Sequence, residues 1–280
     1  MTRSSIMWNT SAPVTVCADG SDAAIGAARW AIAEALDRDV PLRIVHVIPE
    51  DAGADDGPSQ SDRFRLEIQY AESALRQAVA AVESTENTVK VETEILWGPV
   101  ESTLIEESGH ASMLCLGTVG IGMIARAILG STAATVASNA HCPVAIIRNR
   151  SESAQSAPRW IAVGVEDRAN NEPVIEAALK EARLRNSPIL AVGIRQRDFG
   201  DITYDEVDRR VAEWKQQYPD VHIRAVTSPG GIAGFLAEYG RDSIQLAVVG
   251  HIDASVIAQI IGPHGRAVIR HSDCSLLVVH

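Results

Sequence analysis

The strongest constraint on the fold is that the chain repeats itself. The segment PVTVCADGSDAAIGAARWAIAEA (residues 13–35) shares its pattern with RWIAVGVEDRANNEPVIEAALKEA (residues 159–182): an apolar run, a polar turn with acids, and a helix-like stretch. Three more pairs follow in the same order: VPLRIVHVIP with SPILAVGIRQ, MLCLGTVG with LAVVGHID, and HCPVAIIR with DCSLLVVH. Four matches in one order indicate a duplicated domain.

The chain has 280 residues, which is enough for two domains of ordinary size. We predict a first domain at residues 1–150, a polar linker, SESAQSAP, at 151–158, and a second domain at 159–280. The offset between the copies falls from 147 residues (Val16 to Val163) to 132 (Cys142 to Cys274). The second copy therefore lacks residues in its middle.

Within each copy, apolar strands alternate with helical patterns, which predicts an α/β fold with a doubly wound parallel sheet of five strands. Strands are expected near 13–18, 41–48, 88–96, 112–117 and 143–148. Residues spaced by three and four predict the buried faces of two long helices, and we expect all of them in the core. These residues are Phe64, Ile68, Ala71, Leu75, Ala78, Val79 and Val82 in the first copy, and Tyr204, Val207, Val211, Trp214 and Tyr218 in the second.

Charge and composition argue against several classes of partner and location. A formal net charge of −11 repels nucleic acids and anionic lipid, so neither is an expected partner. No apolar run is long enough to span a membrane, and the N-terminal stretch MTRSSIMWNTSAP has no signal-peptide core. Each of the four cysteines lies in or beside a strand-like run, and none forms a CxxC pair. We expect reduced thiols in a cytoplasmic protein.

Glycines cluster in LGTVGIGMIARAILGST, residues 116–132. Gly117 ends the fourth predicted strand, Gly120 follows in the loop, and Gly130 precedes a helix that Ser131 or Thr132 would cap. Bare backbone before a helix start can cradle an anion, although a tight turn and an ordinary capped helix would need the same residues. The stretch lacks the lysine of the common phosphate loop.

Three other polar residues are candidates for a functional role. Asp19 follows the first strand, where its carboxylate would accept from ribose hydroxyls or hold a metal ion, or would simply form a turn or cap a helix. His46 is interpreted as a packed strand residue. Arg126 is interpreted as a solvated loop charge rather than a phosphate clamp.

The spacing G-x-x-G, nine residues, then G-[ST] resembles the motif of the universal stress protein family. Gly117, Gly120, Gly130 and Ser131 match it, and VCADGSDAAIGAARWAIAEA resembles the family's first strand, Asp-Gly-Ser turn and first helix. LRIVHVIP and HCPVAIIR resemble its second and closing strands. The chain is identified as a tandem member of this family.

The resemblance implies two Rossmann-like domains, similar to adenine nucleotide alpha hydrolases, that pair through the closing strands VAIIR and LLVVH as a pseudo-dimer. It also implies that the first domain binds ATP, with Mg²⁺, between the first and fourth strands. Cys17 and Asp19 would lie beside the nucleotide, and Val47 would offer backbone groups to the adenine. The remaining implied contacts, to ribose and phosphates, are Leu116, Gly117, Gly120, Gly130, Ser131 and Thr132.

The second copy departs from the motif. Glu166 and Asp167 replace Asp19 and Gly20, and Asp253 replaces the second motif glycine. Pro263 follows Gly262 where a hydroxyl belongs, and it has no N–H to donate. His264 is interpreted as an exposed loop residue. We expect this copy to bind ATP weakly or not at all.

The expected function is nucleotide-dependent regulation in a stress response, with unknown protein partners and a homodimer of tandem chains. No base, nucleophile or acid pair is evident near the predicted phosphates, so catalysis would be limited to slow ATP hydrolysis. AMP or cyclic AMP in the same pocket is another alternative. A ligand-free interaction module is the third, and it predicts that Gly117→Ala changes neither stability nor partner binding.

Overall fold

A computed structural model describes residues 11–49, 60–117, 131–148, 159–165, 171–194, 204–228, 231–239, 243–251 and 274–280. Of these, residues 11–117 and 135–148 fall within one compact unit, and residues 131–134 and 159–280 within a second. No helix among the described residues is both long and apolar enough to cross a membrane.

The first unit is built on a parallel sheet in the order β3-β2-β1-β4-β5. Its strands are β1 (Val14–Cys17), β2 (Leu42–Ile48), β3 (Val91–Trp97), β4 (Met113–Gly117) and β5 (Val144–Ile147), each near its predicted position. The chain winds outward from β1 through β2 to β3 and then returns to β4 on the other side of β1. The winding therefore reverses between β1 and β4, where doubly wound sheets bind ligands.

Helices α1 (Asp22–Arg38), α2 (Gln60–Glu83) and α3 (Val100–Ser108) connect the strands, and α4 (Ser131–Asn139) leads into β5. The predicted face of α2 is buried along most of its length, at Ala71, Leu75, Ala78 and Val82. The prediction was wrong for Phe64, which is 53% exposed. Its ring stacks on Trp97 of the edge strand β3, with centroids 5.1 Å apart, and so stays outside the core.

The second unit repeats this plan in the order β10-β9-β6-β7-β8. Its elements are β6 (Trp160–Val165), α5 (Glu172–Leu184), β7 (Ile189–Ile194), α6 (Tyr204–Gln217), β8 (Ile223–Ser228), α7 (Gly231–Tyr239), β9 (Ile244–Gly250) and β10 (Ser275–Val279). Strand β6 takes the central place of β1, paired in parallel with β7 and β9. The duplicated α/β fold predicted from the sequence is confirmed.

The buried face of α6 was predicted only in part. Val207 and Val211 are fully buried, as expected. Trp214 and Tyr218 are half-buried rather than enclosed in the core. The guanidinium of Arg183 lies 5.0 Å from the centre of the Tyr218 ring and makes a cation–π contact with it.

A buried ion pair occurs at equivalent places in the two units. Arg38 Nη1 lies 2.5 Å from Glu34 Oε2 in α1, and the Glu34 side chain is fully buried. Arg185 Nε lies 2.8 Å from Glu181 Oε2 at the end of α5, and that carboxylate is also buried. Both pairs are four residues apart and are related by the same 147-residue offset, so the duplication extends to this detail.

All four cysteines are thiols, in accord with the expectation from the sequence. Pairing of the closing strands across the two copies, and with it the pseudo-dimer, stays a prediction.

Candidate functional site

The turn between β1 and α1 holds the carboxylate of Asp19 in a fixed place. Asp19 Oδ1 accepts hydrogen bonds from the Ser21 backbone N–H at 3.0 Å and from Ser21 Oγ at 2.6 Å. Ser21 Oγ in turn accepts from the Ala24 N–H and caps α1. Asp19 thus forms the turn, one of its two predicted roles. No described residue donates to its second oxygen, Oδ2, so that oxygen remains able to accept from a ligand.

Two side chains hold the carbonyls of this turn. His46 Nδ1 donates to the Ala18 carbonyl at 2.6 Å, and the Tyr70 hydroxyl donates to the Asp19 carbonyl at 2.8 Å. The two rings meet edge to face, with centroids 5.7 Å apart. His46 is packed in its strand, as predicted, but its hydrogen bond was missed and Tyr70 was overlooked. Local sequence carries no signal for either contact, because both partners come from distant elements.

The structure gives a packing reason for glycine at position 117, which the sequence did not reveal. A Cβ built there would lie 2.5 Å from the Ala23 carbonyl carbon and 2.7 Å from the Ala24 nitrogen. The end of β4 therefore packs directly on the backbone of the first turn of α1. The added methyl of Gly117→Ala would collide with backbone atoms that cannot rotate away, so we now expect this variant to lose stability even if the protein binds no ligand.

Cys17 is the last residue of β1, and the residue as a whole, backbone included, is half-buried. Burial, and then the negative charge of Asp19, raise the pKa of its thiol to about 12. The thiolate is the reactive form of cysteine, so Cys17 stays protonated and unreactive at neutral pH. It can contribute packing beside a ligand but no nucleophile.

Directly after β1, the Ala18 N–H donates a hydrogen bond to the Val45 carbonyl of β2. Val47 lies two residues further along β2. Alternate residues of a parallel strand direct their backbone groups to the same neighbour. Val47 therefore directs its N–H and C=O toward the side of β1, as Val45 does. Contact of these peptide groups with adenine stays a prediction.

Of the other residues considered in the sequence analysis, the structure describes Leu116, Ser131 and Thr132. Leu116 is buried in β4 and pairs with Ile146. Residues Ser131–Asn139 form α4, and Thr132 is half-buried. Other predictions concern residues that lie outside the described ones, namely Gly120, Arg126, Gly130, Glu166, Asp167, Asp253, Gly262, Pro263 and His264.

Comparison with known proteins identifies the family. The sequence profile of the universal stress protein family matches residues 11–148. The universal stress protein Rv2624c of Mycobacterium tuberculosis is 45% identical over 266 residues, which cover 95% of each chain. This chain belongs to the universal stress protein family. A second protein of that organism, universal stress protein Rv2028c, is 37% identical over 270 residues and again 95% of each chain.

The fold agrees with this assignment. The crystal structure of a universal stress protein from Archaeoglobus fulgidus superposes with a TM-score of 0.70, covering 96% of each chain at 18% identity. At this identity the match concerns the fold alone, and it extends over both units of this universal stress protein.

The described residues contain no group of three or more His, Cys, Asp or Glu side chains placed to hold a metal ion. Mg²⁺ in nucleotide sites commonly takes one or two carboxylates, with phosphates and water as its other ligands. The single open oxygen of Asp19 is compatible with that limited protein contribution.

Proposed function

We propose that the first unit of this universal stress protein binds one adenine nucleotide, ATP with Mg²⁺, at the carboxyl ends of β1 and β4. The observation that carries the proposal is the state of Asp19. One carboxylate oxygen is fixed by Ser21, no described residue donates to the other, and the residue follows β1, where the winding reverses. A carboxylate so held is a strong acceptor for ribose hydroxyls.

The other contacts follow from the family resemblance together with the strand geometry. Val47 supplies backbone groups beyond the end of β1, where they suit the edge of an adenine ring. The resemblance assigns the phosphates to Ser131 and Thr132 of the first sequence copy, since a helix N-terminus presents N–H groups and partial positive charge. Leu116 and Cys17 provide apolar contact. Mg²⁺ would be held by the phosphates, with Asp19 as the available protein oxygen.

We propose further that the protein acts as a cytoplasmic regulator whose nucleotide state is read by protein partners. The four thiols suit a reducing compartment. The acidic surface disfavours nucleic-acid partners. A homodimer of tandem chains is part of the proposal, as is a second unit that binds no ATP because Asp253 and Pro263 break its motif.

The test is calorimetric titration of nucleotide-free protein with ATP, AMP and cyclic AMP, each with and without Mg²⁺. Asp19→Asn is the decisive variant, since the Asn oxygen can still accept from Ser21 while its NH₂ group replaces the open acceptor. We expect Asp19→Asn to weaken ATP binding by about tenfold or more. Asp208→Asn removes the same charge from an exposed helix position in the second unit and serves as the matched control.

Two rivals make different predictions in the same experiments. A slow ATPase predicts ATP turnover that persists through rigorous purification and disappears in Asp19→Asn. A ligand-free module predicts no heat of binding for any of the three nucleotides. Binding of AMP or cyclic AMP in preference to ATP would keep the pocket and change the ligand.

A further inference from the structure

The turn that carries Asp19 is held from outside by two side chains on separate elements. His46, on β2, binds the carbonyl of Ala18, and Tyr70, on α2, binds the carbonyl of Asp19 itself. His46 is only 6% exposed, whereas Tyr70 is 42% exposed and lies at the surface above it. Two consecutive peptide groups directly before Gly20 are therefore fixed by donors that the turn does not contain.

These contacts determine where the Asp19 side chain points. Gly20 has φ +80°, a left-handed conformation that glycine adopts readily. A Cβ at Gly20 would lie 2.9 Å from the Tyr70 hydroxyl, so that hydroxyl sits directly against the turn. The direction of a side chain follows from its own backbone dihedrals, and here the Tyr70 bond fixes the peptide unit on the carboxyl side of Asp19.

We propose that His46 and Tyr70 are positioning residues that set the open oxygen of Asp19 for a hydroxyl-bearing ligand, the ribose of the bound nucleotide. This inference rests on the proposed function of the same site. Neither residue need touch the ligand. They act through the Ala18 and Asp19 carbonyls, and their contribution is to hold the acceptor still before the nucleotide arrives.

The second unit offers an internal comparison. The residue equivalent to His46 is Gly193, and it packs against Val207 of α6 in place of an imidazole packed against a tyrosine. A Cβ at Gly193 would lie 2.7 Å from Val207 Cγ2, so this position has no room for a supporting side chain. Among the described residues, the second unit therefore has no side chain at the position of His46 that could bind the turn as His46 does in the first unit.

The environment keeps Tyr70 in its donating form. Burial, then the charges of Asp19 and Glu67, raise the pKa of its hydroxyl. The phenol therefore retains its proton throughout the pH range in which nucleotide binding would be measured. The Asp19 carbonyl can only accept, so loss of that proton or of the hydroxyl removes the bond.

The test compares ATP with 2′,3′-dideoxy-ATP, which lacks both ribose hydroxyls, in the wild type and in Tyr70→Phe. The wild type is expected to bind ATP about tenfold more tightly than the analogue, which is the effect expected from a hydrogen bond to a charged acceptor. Tyr70→Phe keeps the ring and its contact with His46 but loses the donor. We expect the preference to shrink to about twofold, mainly through weaker ATP binding. Tyr218→Phe, in the second unit, is the matched control and should keep the full preference.

His46 supplies an independent variant. Asn at this position can place an NH₂ group near the site of Nδ1, whereas Leu cannot donate. We expect His46→Asn to retain most of the ATP preference and His46→Leu to lose it. Circular dichroism of each variant confirms that the fold is kept.

The outcomes separate the two proposals. If Tyr70→Phe weakens ATP and the dideoxy analogue equally, or weakens neither, the positioning role is wrong although the nucleotide site stands. If the wild type binds ATP without preferring it over the analogue, the ribose contact is wrong and the inference fails with it. If the wild type binds no nucleotide, the proposed function itself fails, and this is seen before any variant is made.

Discussion

The backbone of Gly117 at the end of β4 lies against the backbone of Ala23 in the first turn of α1, so closely that a methyl group would come within 2.5 Å of the Ala23 carbonyl carbon. Gly117→Ala must therefore move the helix or the strand. We expect it to lower the free energy of unfolding by about 1–3 kcal/mol, the usual cost of overpacking. Chemical denaturation followed by circular dichroism measures this change.

Gly250 is the matched control for that variant. It ends β9 at the equivalent position, but a Cβ there would lie 3.4 Å from the Val174 side chain, which can adjust. Gly250→Ala should cost clearly less than Gly117→Ala. Equal costs would contradict the account of Gly117. If Gly117→Ala also loses nucleotide, that loss alone would not identify Gly117 as a ligand contact, because the substitution disturbs the packing of β4 on α1.

The buried pair in α1 predicts a large effect at Arg38. Removing this guanidinium takes away the charged group that lies 2.5 Å from Glu34 Oε2, in a carboxylate side chain that is fully buried. We expect Arg38→Met to lower the free energy of unfolding by about 3 kcal/mol, as for other broken buried pairs. Arg76→Met removes an exposed pair with Glu72 in the same unit and should change it by about 0.5 kcal/mol or less. A small effect of Arg38→Met would show that Glu34 is better solvated than its burial indicates.

The Cys17 thiol should resist alkylation in the folded protein. Its pKa is raised to about 12, from an ordinary value of 9.0, so at pH 8 almost none of it is thiolate. Iodoacetamide should leave Cys17 unmodified at pH 8 and modify it once the protein is unfolded, as peptide mass spectrometry would show. Rapid modification of native protein would mean that the thiol is neither buried nor influenced by Asp19.

The same pKa fixes the sign of a pH effect on stability. A folded pKa above the unfolded one means that the folded state holds the proton more tightly. The stabilisation is complete below about pH 9 and is lost as the pH rises toward about 12. Cys17→Ala should therefore lose less stability over this alkaline range than the wild type does.

Both units end their first helix with a left-handed residue, Asp39 at φ 53° and Asn186 at φ 47°. Glycine is preferred in this conformation. We expect Asp39→Gly to raise the free energy of unfolding by about 0.5 kcal/mol, and Asn186→Gly to raise it by less, because asparagine tolerates the conformation well. A destabilising Asp39→Gly would show that its side chain contributes a contact that outweighs the strain.

The sequence predicted the elements well and the contacts between them less well. Apolar runs located the first-unit strands because buried parallel strands are continuously hydrophobic, and the repeat predicted the second unit. Helical periodicity failed at Phe64, because spacing alone does not show where a helix extends past the sheet it covers. The sequence also did not reveal why Gly117 must be glycine, since the answer lies in α1, more than 90 residues earlier in the chain.

In the candidate site, too, the sequence predicted local features but not the contacts between distant elements. The position of Asp19 at the end of β1 follows from the strand pattern, and its turn follows from local chemistry with Ser21. The support from His46 and Tyr70 depends on how α2 crosses the sheet, which no local pattern encodes. The buried Glu34–Arg38 pair was likewise hidden, because a helical Glu and Arg four residues apart are usually exposed.

The most direct test of the central claim is to purify the protein without added nucleotide, denature it, and identify and count the small molecules that are released. The account predicts about one adenine nucleotide per chain in the wild type, and little or none in Asp19→Asn, with Asp208→Asn unchanged. Two nucleotides per chain would contradict the inactive second unit. Protein that is empty and also fails to bind added ATP with Mg²⁺ would contradict nucleotide binding by this chain.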